Sequence, residues 1–363
     1  MPANKVILNL INHFKGQFKV AFSISGTTID LFKSYAPEVI ESFRNLADTG
    51  CVEFLAETYS HSLAVLMNKG EFCRQVESHS ATIQALFGIR PTVFTNSEIV
   101  YSDEIGATLS ELGFKGVLTD KPVHLNSDVS CVYHNTSHSG LKVLFKNKQL
   151  SDTISSRFSD YMLSAWPMTS QKFVALLNKI PLDEKAVNLF INYETFGEKN
   201  KFGSGIFKFL CSLPSEVLSK SDFEFSTPSD IIANSEPISF VSRIHLNSNT
   251  EHKQYYSPWV VNCFQQEAFE KLYGISDRIS ESNDPLILKD WQNLQTSDHF
   301  YYMTTMDSTN KSPFTDNSPY KRPYDAYINF MNVLNDLSMR LYWGLNKNQS
   351  DTMSQIKLDQ RPE

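Results

Sequence analysis

The stretch LFGIRPTVFTNSEIVY, residues 86–101, decides the fold. An apolar helical face stops at Gly88, and Val93 begins a short apolar strand two residues after Pro91. The strand leads directly into polar residues that include Glu98. A helix, a turn and then a short strand with polar residues behind it is typical of α/β proteins. In those folds the functional side chains follow the carboxyl ends of parallel strands.

The same alternation recurs along the first two thirds of the chain. It predicts an α/β fold with a parallel sheet or barrel. The predicted helix and strand pairs are residues 4–14 with 18–24, 30–48 with 52–55, 72–87 with 93–94, 105–112 with 117–118, and 172–179 with the apolar run 187–191. An uninterrupted apolar run such as the last one is typical of a parallel strand that is covered on both faces.

Later residues suggest a change of domain. Residues 225–258 are rich in Ser, Pro and Asn and show no sustained period, whereas residues from 265 onward are helical in pattern. The predicted domains are residues 1–235 as a barrel domain, 236–260 as a linker, 261–345 as a helical region, and 346–363 as a polar tail.

Composition excludes several classes of function. The chain has 363 residues and a net charge of −7, and its 33 Lys and Arg residues are dispersed, which argues against nucleic acid as a partner. Five widely spaced cysteines indicate reduced thiols rather than a disulfide framework or a metal site. The chain begins without a secretory signal and has no stretch of membrane-spanning length. We therefore expect a cytoplasmic protein with no membrane association, no metal and no cofactor.

Five segments, in this order, resemble glycoside hydrolase family 57. They are FKVAFSISG (18–26), GCVEFLAETYSHSL (50–63), LFGIRPTVFTNSEIVY (86–101), VNLFINYETFGE (187–198) and LQTSDHFYYM (294–303). The resemblance implies an incomplete seven-stranded β/α barrel with a C-terminal helical region that closes the cleft. It also implies α-amylase-type action on an α-glucan or maltooligosaccharide, with retention of configuration.

Two positions carry the implied catalysis. Glu98 stands where the family has its nucleophile, in wording close to FRNTELIY. Asn192 stands where the family pattern LFMDYETFGE has the Asp that serves as general acid/base. An amide has no titratable proton, so the resemblance predicts an impaired hydrolase.

Other residues are expected to bind substrate. The resemblance suggests Glu53, His61 and Asp298 for this role. Glu194 lies two residues beyond Asn192, which would place it on the same face of a strand. It is therefore the candidate for a displaced proton donor.

The chain also departs from the family pattern. It reads GEKNK at 197–201 where the family has GEHQW, and no strand with a His-Gln-Pro motif precedes residue 4. A missing first strand would expose a barrel edge, which favours self-association or a partner segment there.

Two alternatives to a glycosidase stay open. One is a non-catalytic α-glucan-binding protein. The other is a metal-dependent polysaccharide deacetylase, which needs a His/His/Asp ligand set that would draw on His61, His79, His134 and His138.

Overall fold

The structure is a computed structural model, and it describes residues 2–99, 101–121, 132–135, 140–162, 167–181, 184–241, 259–305 and 318–359. It divides into two compact units. Unit 1 comprises residues 1–58 and 76–245, and unit 2 comprises residues 59–75 and 246–363. Unit 2 therefore takes in residues 59–75, which the predicted domain division assigned to the barrel domain.

Unit 1 alternates helices and short strands. Its strands are β1 Val20–Phe22, β2 Val52–Phe54, β3 Val93–Thr95, β4 Gly116–Thr119, β5 Val132–Asn135, β6 Lys142–Phe145 and β7 Ser239–Val241. Its helices are α1 Pro2–His13, α2 Gly26–Tyr35, α3 Pro37–Ala47, α4 Lys69–Phe87, α5 Asp103–Glu111, α6 Lys148–Ser155, α7 Ser170–Leu177, α8 Ile206–Lys220 and α9 Pro228–Asn234, of which α4 begins in unit 2.

Most of the strand pairs are parallel, as the alternation predicts. β1 pairs with β2 in one sheet, and the second sheet has the order β3-β4-β6-β5-β7. Ala56, just beyond β2, bridges to Phe94 in β3, which continues the parallel series from one sheet to the other. β5 is the exception, because it runs antiparallel to β6. β1 pairs only with β2 within the described residues, so association at its edge stays a prediction.

Residues 187–191 do not form the predicted strand. Only Asn188 makes a bridge, parallel to Lys146 just past β6. The backbone N–H of Phe190 donates to the Ser151 hydroxyl on α6 instead of to a neighbouring strand. The apolar run instead supplies core contacts. Leu189 packs against an outer cluster around Phe173 and Phe207. Phe190 packs against an inner cluster, which consists of Leu55, Val93, Leu118, Val132, Leu144 and Ile232.

Helix α9 packs against the inner cluster and against one end of the strands. The cluster joins apolar side chains of several strands to Ile232 of α9. The Lys142 ammonium at the start of β6 donates to the carbonyls of Ile232 and Ser235 at 2.7 and 2.9 Å. Lys19, just before β1, forms an ion pair with Asp230 at 2.7 Å. Helix α9 therefore lies at the amino ends of the parallel strands.

The predicted helix over residues 30–48 is two helices. α2 ends at Tyr35 and α3 begins at Pro37. Ala36 between them has φ of −152°, outside the helical region. A residue before proline is pushed out of the helical conformation by the proline ring, which accounts for the break.

Unit 2 is helical. It contains α10 Cys263–Tyr273, α11 Ser276–Ser282, α12 Pro285–Leu294, α13 Ser297–Tyr301 and α14 Pro323–Asp359. Its core includes the rings of Phe269 and Phe300, stacked with centroids 3.8 Å apart. The buried Trp291 indole donates to the Leu272 carbonyl at 2.9 Å. No helix among the described residues is both long and apolar enough to cross a membrane.

Candidate active site

Glu98 follows the carboxyl end of β3 in an unusual backbone conformation. Its φ is 55°, and only four non-glycine residues of the described chain have positive φ. A left-handed non-glycine residue costs on the order of 1–3 kcal/mol and persists only where its surroundings fix it. The fully buried hydroxyls of Ser97 and Thr58 lie 2.8 Å apart, which ties the residue before Glu98 to the end of β2.

A buried carboxyl group that was not among the predicted site residues, Glu57, follows the carboxyl end of β2. Glu57 is 4% exposed and accepts a hydrogen bond from the Ser23 hydroxyl at 2.7 Å. Side chains alternate along a strand, so Glu57 shares a face with Leu55 of the inner cluster. That alternation was readable in EFLAE and could have identified Glu57.

His79 of α4 fixes the same region. Its Nδ1 accepts from the backbone N–H of Glu57 at 3.3 Å, so its Nε2–H donates to the Ile24 carbonyl at 2.8 Å. Burial lowers the pKa of His79, and the nearby Glu57 opposes that effect. The ring is thus held neutral, between the ends of β1 and β2.

Asn192 lies beyond the apolar run, four residues past the bridge at Asn188. Its side chain is exposed, and it precedes a 3₁₀ turn over Tyr193–Thr195 without capping it. The ring of Tyr193 packs against Phe22 of β1 with centroids 5.4 Å apart. This contact joins the segment that carries Asn192 to the first strand.

Glu194 and Asn192 do not lie on one face of a strand, contrary to the prediction. Residues 193–195 form a 3₁₀ turn, in which positions two apart point in different directions. Glu194 instead makes an ion pair with Lys199.

Glu53 is not at the carboxyl ends of the strands. Its carboxylate accepts from the backbone N–H of Ser229 at 2.9 Å and from the Ser229 hydroxyl. Burial raises the pKa of Glu53, while its bonds to Ser229 oppose the shift. Because α9 lies at the amino ends of the strands, the structure places Glu53 apart from Glu98.

His61 and Asp298 both belong to unit 2, on two segments that touch. Ser62 and Thr296 form an antiparallel bridge, and the backbone N–H of Ser297 donates to the His61 carbonyl at 3.1 Å. His61 has φ of 50°, so two of the four positive-φ non-glycine residues are predicted site residues. Asp298 is exposed in the first turn of α13.

Four histidines were suggested as metal ligands. His138 lies outside the described residues, and His79 is bound to backbone groups through both ring nitrogens. Within the part of the chain that is described, no group of three His, Cys, Asp or Glu side chains could hold a metal ion.

A cleft of about 360 Å³ lies elsewhere in unit 1. It is lined by residues that include Lys19, Phe225 and Asp230, at the amino ends of the strands. None of the predicted site residues lines it.

Comparison with known proteins identifies the family. The sequence profile of glycosyl hydrolase family 57 matches residues 1–243. The chain belongs to this family. The five motifs predict this family, and the profile match confirms the prediction. A protein of Methanocaldococcus jannaschii that carries the provisional name alpha-amylase is 32% identical over 99% of this chain and 79% of its own length.

Solved structures share the fold of this family 57 chain. The 4-alpha-glucanotransferase of Thermococcus litoralis superposes with a TM-score of 0.61 at 15% identity, covering 81% of this chain. This chain spans 51% of that enzyme's length. The family 57 branching enzyme of Thermococcus kodakaraensis, in complex with glucose, gives a TM-score of 0.59 at 16% identity over 83% of this chain and 68% of its own.

Proposed function

We propose that this family 57 protein is an α-glucan-active retaining glycoside hydrolase of the α-amylase type, impaired in proton transfer. Glu98 is the nucleophile, and Asn192 occupies the acid/base position. The observation that carries the proposal is Glu98 itself, a carboxylate in a left-handed conformation directly after a parallel strand. Strained residues of this kind concentrate at functional sites.

A finer proposal concerns the sheet. The parallel series β1, β2, β3, β4 and β6, extended by the bridge at Asn188, would correspond to an incomplete seven-stranded barrel. The contact of Tyr193 with Phe22 supports this proposal, because it brings the last segment of the series to the first strand.

The proposed chemistry follows from the two carboxyl roles in retaining hydrolysis. The Glu98 carboxylate attacks the anomeric carbon, the glycosidic bond breaks, and the leaving oxygen takes its electron pair. An acid normally protonates that oxygen. Asn192 has no proton to give, so the oxygen takes its proton from water, and a second water then cleaves the bond between Glu98 and the sugar. Without assistance from an acid, natural glucans react about 10²–10⁴-fold more slowly, whereas a sugar with an activated leaving group is affected far less.

The remaining candidates have other roles in this proposal. Glu194, paired with Lys199, accepts hydrogen bonds from sugar hydroxyls. His61 and Asp298 bind glucan hydroxyls in unit 2. Glu53 is assigned to the anchoring of α9 through Ser229.

The test combines trapping with restoration. Incubation with 5-fluoro-α-glucosyl fluoride should give a covalent adduct on Glu98 by mass spectrometry, and Glu98→Gln should give none. Asn192→Asp should raise the hydrolysis of maltoheptaose by about 10²–10⁴-fold. Asn9→Asp, an equivalent change on the exposed face of α1, serves as the control. Absence of an adduct in both the parent chain and Asn192→Asp would refute the assignment of Glu98.

A second candidate function is glucan binding without catalysis. The amide at Asn192 favours it, because an amide retains hydrogen bonding but not acid/base chemistry. Tight binding of maltoheptaose by a chain that forms no adduct would support this candidate. Stoichiometric zinc in the purified protein would instead favour the deacetylase alternative.

A further inference from the structure

Two fully buried glutamines meet in unit 2. Gln75 of α4 and Gln295, just after α12, are both 0% exposed. The Gln75 Nε2 group donates to Gln295 Oε1 at 2.8 Å and to Glu71 Oε1 at 2.7 Å. Gln295 Nε2 donates to the same Glu71 oxygen at 2.8 Å. The two amides and one carboxylate therefore form a closed triangle of hydrogen bonds.

The other end of Gln75 holds the segment that carries His61. Its Oε1 accepts from the backbone N–H of Ser60 at 3.1 Å and from the Ser62 hydroxyl at 2.9 Å. These residues flank His61 on both sides. The left-handed backbone of His61 is thus clamped by one buried side chain.

Gln295 leads directly into the segment that carries Asp298. Thr296 bridges to Ser62, and the Ser297 N–H donates to the His61 carbonyl at 3.1 Å. The hydrogen bond between the two glutamine side chains joins the same two segments as these backbone bonds. It fixes the separation of the two segments on their buried side.

Such a cluster is a poor source of stability by itself. Burying amides and a carboxylate is unfavourable unless every group is bonded, and apolar side chains of similar size often do as well. Here Gln75 uses both of its donor hydrogens and accepts two bonds, while Arg74 makes two bonds of 2.7 Å to Glu71. Fully satisfied buried networks specify one arrangement of the segments they join.

We infer that Gln75 and Gln295 are positioning residues that hold His61 and Asp298 at one fixed spacing for hydrogen bonding to the hydroxyls of an α-glucan. The inference rests on the proposed function, because that proposal makes His61 and Asp298 the glucan-binding residues of unit 2. The amide pair itself does not touch the sugar.

The first test replaces the amide and leaves the length of the side chain. Gln75→Met should raise the Kd for maltoheptaose, measured by calorimetry on the full chain, about 10–100-fold. Gln84→Met is the matched control, since Gln84 is exposed on the same helix, and its Kd should equal that of the parent chain. Titrations are run well below the unfolding temperature of each variant.

The second test separates positioning from general stability. In Gln75→Glu the ionised carboxylate faces Glu71 and has no hydrogen to donate to Gln295, so the Kd at pH 7 should again rise. Protonation restores one of the two donors, while the other oxygen keeps accepting from Ser60 and Ser62, so the Kd should move toward that of the parent chain as the pH falls to 5. The urea midpoint of Gln75→Glu is measured over the same pH range, because a purely structural role predicts that the Kd recovers only in parallel with stability. Should Gln75→Met fail to fold, Ser62→Ala takes its place, because it removes one bond to Gln75.

The outcomes separate the two claims. If the parent chain binds no maltoheptaose, the proposed function is refuted and the inference falls with it. If the parent chain binds, but folded Gln75→Met and Gln75→Glu bind with the same Kd as Gln84→Met, the positioning role is refuted and the proposed function stands.

Discussion

The hydrogen bond between Thr58 and Ser97 should control both the stability of unit 1 and the reactivity of Glu98. The perturbation is Thr58→Val, which keeps the shape of the side chain and removes its hydroxyl. Both residues are fully buried, and their hydroxyl oxygens lie 2.8 Å apart. The change removes the hydrogen-bond partner of the buried Ser97 hydroxyl.

The expected cost follows from that burial. Leaving a buried polar group unsatisfied costs about 1–3 kcal/mol, whereas removing both partners of a pair can be nearly neutral. Thr58→Val should therefore lower the free energy of unfolding by about 1–3 kcal/mol. The double variant Thr58→Val, Ser97→Ala should cost clearly less than the sum of the two single changes.

The same change should slow the chemistry. Ser97 precedes Glu98, and a small displacement of a reacting group costs up to about 10²-fold in rate. We expect the rate of covalent labelling of Glu98 by the fluorosugar to fall at least tenfold. The assays are urea unfolding and mass spectrometry against time. Thr82→Val is the control, because the Thr82 hydroxyl bonds only locally to the Ser78 carbonyl within α4.

Two results would refute this reasoning. One is a Thr58→Val variant that labels at the parent rate and unfolds within about 0.3 kcal/mol of the parent chain, a difference inside the error of additivity. The other is a double variant whose cost equals the sum of the single costs, since that would show the two hydroxyls to be uncoupled.

Three further predictions concern stability. Burial lowers the pKa of His79 below 6.5, so the unfolded chain takes up a proton at a higher pH than the folded chain does. The contribution of His79 to stability is therefore complete above pH 6.5 and is lost as the pH falls toward the pKa of the folded state. His79→Gln should remove this part of the pH dependence of the urea midpoint. Glu53→Ala should cost about 1–3 kcal/mol by removing the acceptor of the Ser229 backbone N–H, with the maltoheptaose Kd unchanged. In Gly116→Ala the new Cβ would lie 2.0 Å from Ile232 Cδ1, so the change should lower the free energy of unfolding by about 1–3 kcal/mol. In a chain that already carries Ile232→Ala, Gly116→Ala should cost much less, and an equal cost would contradict the close contact.

Elements with a clear period were predictable. The helix over residues 72–87 and the strand after Pro91 both form close to their predicted positions. The run 187–191 misled because apolar content shows that a segment is buried but not what its backbone bonds to. Here the Phe190 N–H finds the Ser151 hydroxyl, a partner that no local pattern could indicate.

The residues of the candidate site also differ in how far the sequence could indicate them. The position of Glu98 just past a strand was predictable from the apolar residues before it, and its role as nucleophile stays a prediction. Glu57 was not identified, although the alternation in EFLAE indicates it. Gln75 was not identified, because it becomes informative only through a partner distant in sequence, Gln295. Glu53 was misplaced, because its partner Ser229 lies 176 residues further along the chain.

The sequence by itself determined the family, the alternation of helices and parallel strands, and the chemical identity of the groups at 98 and 192. These follow from residue types and short-range periods, which act through local backbone geometry and side-chain chemistry. Only the tertiary structure decided which end of the strands Glu53 occupies, that Glu194 pairs with Lys199, and that buried amides join the segments of His61 and Asp298. Those outcomes depend on which polar groups are buried together, since a group removed from water must find its partner wherever the folded chain places one.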